Sequence, residues 1–220
     1  VIERAAVYRI APFFLYMAFI AVADLARRMG WSAAELRWLY PVKVGVVALA
    51  LWCWRRHYSE LRGAKPGAGA LALSAAVGVA VLVLWLNLDA GWMRIGQSSG
   101  FDPRDGGRIN WVLALSRLAG AALVVPLMEE LFWRSYLLRW LDRPDFLQLA
   151  PAAGSLRAAA ITALLFGVEH DLWFAGVVAG LSYGWLYRRT GNIWAPVVAH
   201  CVTNGLLGCW IIATGAWIYW

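Results

Sequence analysis

The sequence predicts an all-α protein that crosses a membrane about seven to eight times around a polar cavity, and three observations carry that prediction. Of the 220 residues, 62% are hydrophobic and 15% charged, whereas a soluble domain usually carries about 25% charged residues. The apolar residues come in long runs rather than in short alternations. Ala68–Leu86 contains no charge, and about 20 apolar residues cross the hydrocarbon core. The 15 tryptophans gather near the ends of such runs, as at Trp52, Trp54, Trp92, Trp111, Trp140, Trp194 and Trp220, where an amphipathic ring favours the membrane–water interface. A soluble bundle of very apolar helices is the competing class, and the several runs of spanning length argue against it.

Seven hydrophobic helical segments are expected in order: Tyr8–Leu25, Trp38–Trp54, Ala68–Leu86, Trp111–Trp140, Leu156–His170, Leu172–Tyr187 and Ile193–Trp217. The first apolar run, about Ile10–Ala23, follows Arg4 and Arg9 and is read as part of a retained helix rather than a signal peptide, because Asp24 directly follows its small residues and further apolar segments come after it. A loop rich in Gly, Asp and Arg is expected over Asn87–Asn110, and the fourth segment is long, with Pro126 inside it. Residues 1–220 read as one membrane domain without an internal repeat, its chemistry concentrated in a core of about 111–207.

The net charge of +7 does not point to nucleic acid. Its basic residues cluster beside apolar runs, as at Arg27-Arg28, Arg55-Arg56 and Arg188-Arg189, the pattern of loops that face the cytoplasm and anionic lipid. The connections after segments two, four and six hold Arg55, Arg56, Arg62, Lys65, Arg139, Arg143, Arg157, Arg188 and Arg189, which favours a cytoplasmic N-terminus. Arg27, Arg28 and Arg37 run against that bias. Cys53, Cys201 and Cys209 lie in apolar runs with no disulfide or metal spacing and read as small packing residues.

Segments five and six are short. About 15 residues rise only about 22 Å, less than the roughly 30 Å core. Their connection, Glu169-His170-Asp171, is therefore expected at a turn within the membrane, where polar backbone needs protein or a water-filled cavity around it.

Ionisable residues inside spanning segments are costly and mark functional sites. Segment four carries Met128-Glu-Glu-Leu-Phe-Trp-Arg134. Glu130 and Arg134 share a helix face and can pair, whereas Glu129, rotated by about 100°, points elsewhere and is free to act as a general base. A Glu130–Arg134 pair that only fixes helix packing is an equal reading. Phe166 and His170 share a face at the end of segment five, and His200 and Asn204 share one in segment seven. Two converging donors such as His200 and Asn204 suit an oxyanion; an interhelical polar clasp is the alternative. Counted from the cytoplasmic end, Glu129, His170 and His200 lie about 16, 20 and 10 Å deep, depths that allow one cavity open to the cytoplasm.

A Glu-Glu-x-x-x-Arg string, then Phe-x-x-x-His, then His-x-x-x-Asn, on successive membrane segments, resembles the CAAX protease and bacteriocin-processing family of intramembrane glutamic endopeptidases, to which the Rce1-type enzymes belong. The likeness covers Leu113 to Leu207. It implies that Glu129, helped by His170, activates a water, that Glu130 and Arg134 support the site, that His200 and Asn204 stabilise the oxyanion, and that Phe166 is the aromatic position before the histidine. It implies hydrolysis of a peptide bond without a cofactor, and the expected place is a bacterial cell membrane; the position of the cavity within the membrane implies a membrane-bound or lipid-modified protein as substrate. The compact form and the tryptophans also resemble a bacterial branch linked to exosortase-type protein sorting.

Three other readings compete. Glu129, Glu130, His170 and His200 could ligate zinc in a membrane metalloprotease, although Arg134 would oppose a cation and no His-Glu-x-x-His is present. Gly180-Leu-Ser-Tyr-Gly184 offers Ser182 as a nucleophile, but no strand precedes it, and Gly176, Gly180 and Gly184 read better as a close-packing stripe. A non-proteolytic scaffold or immunity protein of the same fold is the non-enzyme reading. A transporter would show inverted repeats, whereas the polar residues crowd into the second half of this chain.

Overall fold

The computed structural model describes residues 3–96 and 100–220. Seven main helices appear where the apolar runs predict them. They are α1 (Arg4–Arg28), α3 (Leu39–Trp54), α4 (Ala68–Asn87), α5 (Trp111–Trp140), α6 (Leu156–Val168), α7 (Trp173–Thr190) and α8 (Trp194–Thr214). A one-turn α2 (Ala33–Leu36) precedes α3, held by a capping box in which Ser32 and Glu35 satisfy each other's end of the turn. Among the described residues, five spans are long and apolar enough to cross a membrane: α1, Ala33–His57, α4, α5 and α8. The protein is thus an integral membrane protein of helices. The expected seven to eight crossings reduce to five on this criterion, because α6 is short and α7 ends in Arg188-Arg189.

Inside the 87–110 loop the chain makes a small hairpin, which apolar periodicity does not reveal. β1 (Arg104–Asp105) pairs antiparallel with β2 (Arg108–Ile109). The turn between them is Gly106-Gly107, with φ of 56° and 81°, conformations open to glycine in a two-residue hairpin. Residues 97–99 of this loop lie outside the described residues.

The connections sort into two ends of the bundle. At one end, Phe101 N–H donates to Trp217 O (3.1 Å) and Arg37 pairs with Asp105, which gathers 29–38, 100–110 and 215–220. At the other, Asn192 Nδ2 donates to Ala64 O (2.6 Å) and Trp194 Nε1 to Leu61 O (3.1 Å), which gathers 55–67 and 191–193, and Arg139, 3.9 Å from Glu60, donates to Leu149 O (3.4 Å), which adds 141–155. This second end is sealed by a buried cluster. Arg9, fully buried, donates to both oxygens of Glu60 at 2.8 and 2.5 Å. Ser135 donates to the same carboxylate, and Arg139 donates to Ser135 Oγ at 2.9 Å.

Helix α5 is not uniform. π-helical turns over Gly120–Val124 and Leu131–Leu137 flank the α-helical turn Val125–Glu130. Pro126 has no N–H and would press on the preceding turn, and a widened turn before it relieves that crowding. Such turns recur at functional sites, and here they bracket Glu129 and Glu130.

The α6–α7 hairpin owes its closeness to glycine. A Cβ on Gly176 would meet Gly167 Cα at 2.9 Å, and one on Gly180 would meet Ala163 Cα at 2.9 Å, so backbone lies on backbone. Gly184 is the exception in the expected stripe: its added Cβ would find only Leu138 Cδ1 at 3.8 Å. The turn at Glu169–Asp171 is covered by the loop, as Ile95 N–H donates to Asp171 O (2.8 Å) and Trp173 Nε1 to Trp92 O (2.9 Å).

Candidate active site

Helix α5 presents its two adjacent carboxylates to different neighbours, as a 100° rotation requires. Glu130 is fully buried. Its Oε1 accepts from Arg134 Nη1 at 3.0 Å and faces His200 Nδ1 at 3.0 Å. Arg134 continues to Gly180 O (3.3 Å) on α7 and lies over the Phe166 ring, 4.6 Å from its centroid. One residue earlier, Glu129 lines a cavity of about 320 Å³ together with Phe166, Glu169, His170, His200 and Asn204. Its Oε2 is buried without a hydrogen-bond partner among the described residues; His200 Nε2 lies 4.0 Å away.

His170 sits where α6 ends. Its Nδ1 is 2.7 Å from Phe166 O. A carbonyl can only accept, so Nδ1 carries the proton, and in the neutral ring that leaves the lone pair on Nε2. Phe166 is buried at the hub of the site, its ring 4.8 Å from His170, 6.0 Å from His200 and 5.9 Å from Trp133. His200 is stacked on Tyr183 at 4.9 Å and 24°. Asn204, one turn further along α8, donates from Nδ2 to Ala121 O at 2.9 Å. One amide N–H is thereby committed, and the amide group has two.

All seven residues singled out in the sequence therefore meet in one region. Several others that complete it carry no spacing signal. Tyr183 O–H donates to Thr203 Oγ1 (2.7 Å), which donates to Gly78 O (2.8 Å); this chain ties the ring beneath His200 to α4. Glu169, noted above only as part of a polar turn, lines the same cavity, and its Oε2 is also buried and unpartnered among the described residues. Ser182 is absent from the cavity lining and donates to Val178 O at 2.8 Å.

The direction of the cavity departs from expectation. Its lining includes Tyr40, Arg117, Tyr219 and Trp220, all toward the end that gathers 29–38 and 215–220. No residue of 55–67, 141–155 or 191–193 lines it. Under a cytoplasmic N-terminus the void thus extends away from the cytoplasm. Depth counted in residues measures distance along a helix, not which end is packed shut; the Arg9–Glu60–Ser135–Arg139 cluster closes the end assigned to the cytoplasm. Among the described residues, no group of three or more His, Cys, Asp or Glu side chains is arranged to hold a metal ion.

Residues 111–206 match the family model described as type II CAAX prenyl endopeptidase Rce1-like. No curated protein and no solved structure matches the chain.

Proposed function

We propose, from the match of residues 111–206 to the Rce1-like family model, that this integral membrane protein is an endopeptidase that cuts a membrane-associated or lipid-modified protein with a glutamate-activated water. The observation that supports this reading best is the Glu129 carboxylate. It is buried in a cavity wall with Oε2 unpartnered among the described residues, and the same cavity is lined by His170, whose Nδ1 is held by the Phe166 carbonyl.

In this reading a water held between Glu129 and His170 attacks the scissile carbonyl. Its proton passes to Glu129, the new C–O bond forms, and the carbonyl electron pair moves onto oxygen. The second amide N–H of Asn204 donates to that oxyanion, and His200 adds a donor at Nε2 in its doubly protonated form. Collapse of the intermediate breaks the C–N bond, and the proton on Glu129 passes to the leaving amine. Positioned proton transfer of this kind contributes about 10²–10⁴-fold, and each oxyanion donor about 10²–10³-fold. Glu130 and Arg134 take no proton; they hold His200 and the helix in place.

The test is cleavage of a fluorogenic peptide set by the purified, detergent-solubilised protein, with Glu129→Gln alongside, each with and without a strong chelator. The expected result is activity that survives chelation and falls at least about 10²-fold in Glu129→Gln. Activity abolished by chelator and restored by zinc would turn the same side chains into metal ligands and defeat the glutamate mechanism.

A further inference from the structure

Glu169 has no part in the mechanism above, yet it lines the same cavity as Glu129, and its Oε2 is buried without a hydrogen-bond partner among the described residues. The packing of α5 on α6 brings the two acids together. Trp133 follows Glu129 by about one turn of α5, and Glu169 follows Phe166 by about one turn at the end of α6. The rings of Trp133 and Phe166 meet edge to face at 5.9 Å, so the stretch of α5 that carries Glu129 abuts the stretch of α6 that carries Glu169. The charge of Glu169 acts on Glu129 more strongly than does that of Glu130, the next residue of the chain.

Among the described residues, no Lys or Arg forms an ion pair with either carboxylate; Arg134 is held by Glu130. Two like charges in a buried wall oppose each other, so one of the pair keeps its proton. The surroundings decide which. His200 Nε2 lies 4.0 Å from Glu129 Oε2, whereas no Lys, Arg or His nitrogen among the described residues comes that close to Glu169. Glu129 is therefore the carboxylate and Glu169 the acid, the division of roles that unequal surroundings impose on two like groups. Other protons at the wall are engaged. The His170 Nδ1–H is held by Phe166 O and the Tyr183 O–H by Thr203.

We propose that Glu169 is a second catalytic residue, the carboxylic acid that delivers a proton to the departing amine. This rests on the peptidase reading above and refines it, since the proton that Glu129 takes from water then reaches the amine by way of Glu169. As the water oxygen bonds to the carbonyl carbon, its proton goes to Glu129. As the C=O bond re-forms and the C–N bond breaks, the Glu169 O–H gives its proton to the nitrogen, which leaves as a neutral amine. The proton on Glu129 then moves to Glu169 and restores the starting pair. The elements of water end divided between the new carboxyl group and the new amine.

The experiment uses the purified full chain and pairs of quenched fluorogenic peptides, identical except that sulfur replaces the N–H of the scissile bond in one member. An amine must be protonated to leave, whereas a thiolate leaves without a proton. Glu169→Gln is expected to lower kcat on the amide at least about 10²-fold with KM little changed, and to lower cleavage of the thioester by less than about tenfold. Glu129→Gln, which lacks the base, should lose both. Glu169→Asp, which keeps an acid on a side chain one methylene shorter, should restore part of the amide cleavage. Retained amide cleavage in Glu169→Gln overturns the assignment, and so does an equal loss on both members, which would mark Glu169 as a packing residue; either result leaves the peptidase reading standing. If Glu169→Gln does not fold, Glu169→Asp carries the test, since a larger loss on the amide than on the thioester supports the assignment and an equal loss overturns it. If folded wild type cleaves neither member of any pair, the peptidase reading fails and the assignment falls with it.

Discussion

The Nδ1 of His200 lies 3.0 Å from Oε1 of Glu130, the same oxygen that Arg134 reaches at 3.0 Å. One carboxylate oxygen therefore sets both the ring orientation of a residue on α8 and the side chain of a residue on α5. Removing it leaves Arg134, only 2% exposed, without a counter-charge, and breaking a buried pair from one side costs about 3–5 kcal/mol. Glu130→Ala is expected to lower the thermal midpoint markedly, whereas Glu129→Gln, whose Oε2 has no partner to lose, is expected to leave it nearly unchanged. Differential scanning fluorimetry of the two variants in the same detergent compares them directly. Equal destabilisation by both would contradict the division of labour between the adjacent carboxylates.

Tyr183 supports His200 from beneath, and its hydroxyl runs through Thr203 to the Gly78 carbonyl. Tyr183→Phe keeps the stacked ring and removes only the donor. A net loss of about 0.5–1.5 kcal/mol is expected, with a modest fall in kcat. Thr203→Val removes the acceptor and leaves the Tyr183 hydroxyl buried without a partner, so its cost should be larger, about 1–3 kcal/mol. The order of the two thermal midpoints checks the direction of the chain. A Tyr183→Phe variant less stable than Thr203→Val would reverse it.

What was legible in the sequence follows from what membranes forbid. Ionisable residues within apolar runs are few, so Glu129, Glu130, Arg134, His170 and His200 stood out, and i,i+4 spacing grouped them correctly into faces. The bounds of α5, Trp111 and Trp140, were readable because two interfacial tryptophans frame one apolar run. Arg9, Lys43 and Arg117 meet the same criterion but have no partner at helical spacing. Arg9 finds its carboxylate 51 residues away, in Glu60, a pairing that no local pattern contains. The π-helical turns of α5 and the end at which the cavity opens depend on packing between helices, which a count of residues along one helix does not measure.

The Arg9–Glu60 pair makes stability depend on pH. Burial opposes ionisation of Glu60, but the hydrogen bonds and charge of Arg9, with the Ser135 hydroxyl, outweigh it and hold the carboxyl below the usual carboxylate range. A carboxyl whose folded-state pKa is depressed contributes stability that is complete above its unfolded value of about 4.3 and is lost as pH falls through the folded value. Wild type should therefore keep a constant advantage over Glu60→Gln from neutral pH down to about 5, and that advantage should shrink below about 4. Thermal midpoints of both proteins across this range test it. A gap that does not narrow in acid would show that Glu60 acts through packing rather than charge.

The turn that carries His170 is only as well placed as the α6–α7 contact beneath it. A Cβ on Gly167 would lie 2.7 Å from Trp173 O and collide with Val177 Cγ2; both belong to α7 and neither is the free end of a flexible chain. Gly167→Ala must therefore push the two helices apart, at a cost of about 1–3 kcal/mol. Because Gly167 O accepts from His170 N–H at 3.0 Å, the displacement reaches the imidazole. Gly184→Ala lies on the same α7 stripe but meets only a leucine methyl at 3.8 Å, and should be neutral or slightly stabilising as alanine replaces glycine within a helix. Peptide cleavage and thermal midpoint, measured on both, separate helix spacing from glycine content: Gly167→Ala should lose both, Gly184→Ala neither. Loss of activity in Gly184→Ala alone would place the critical contact on the wrong end of the hairpin.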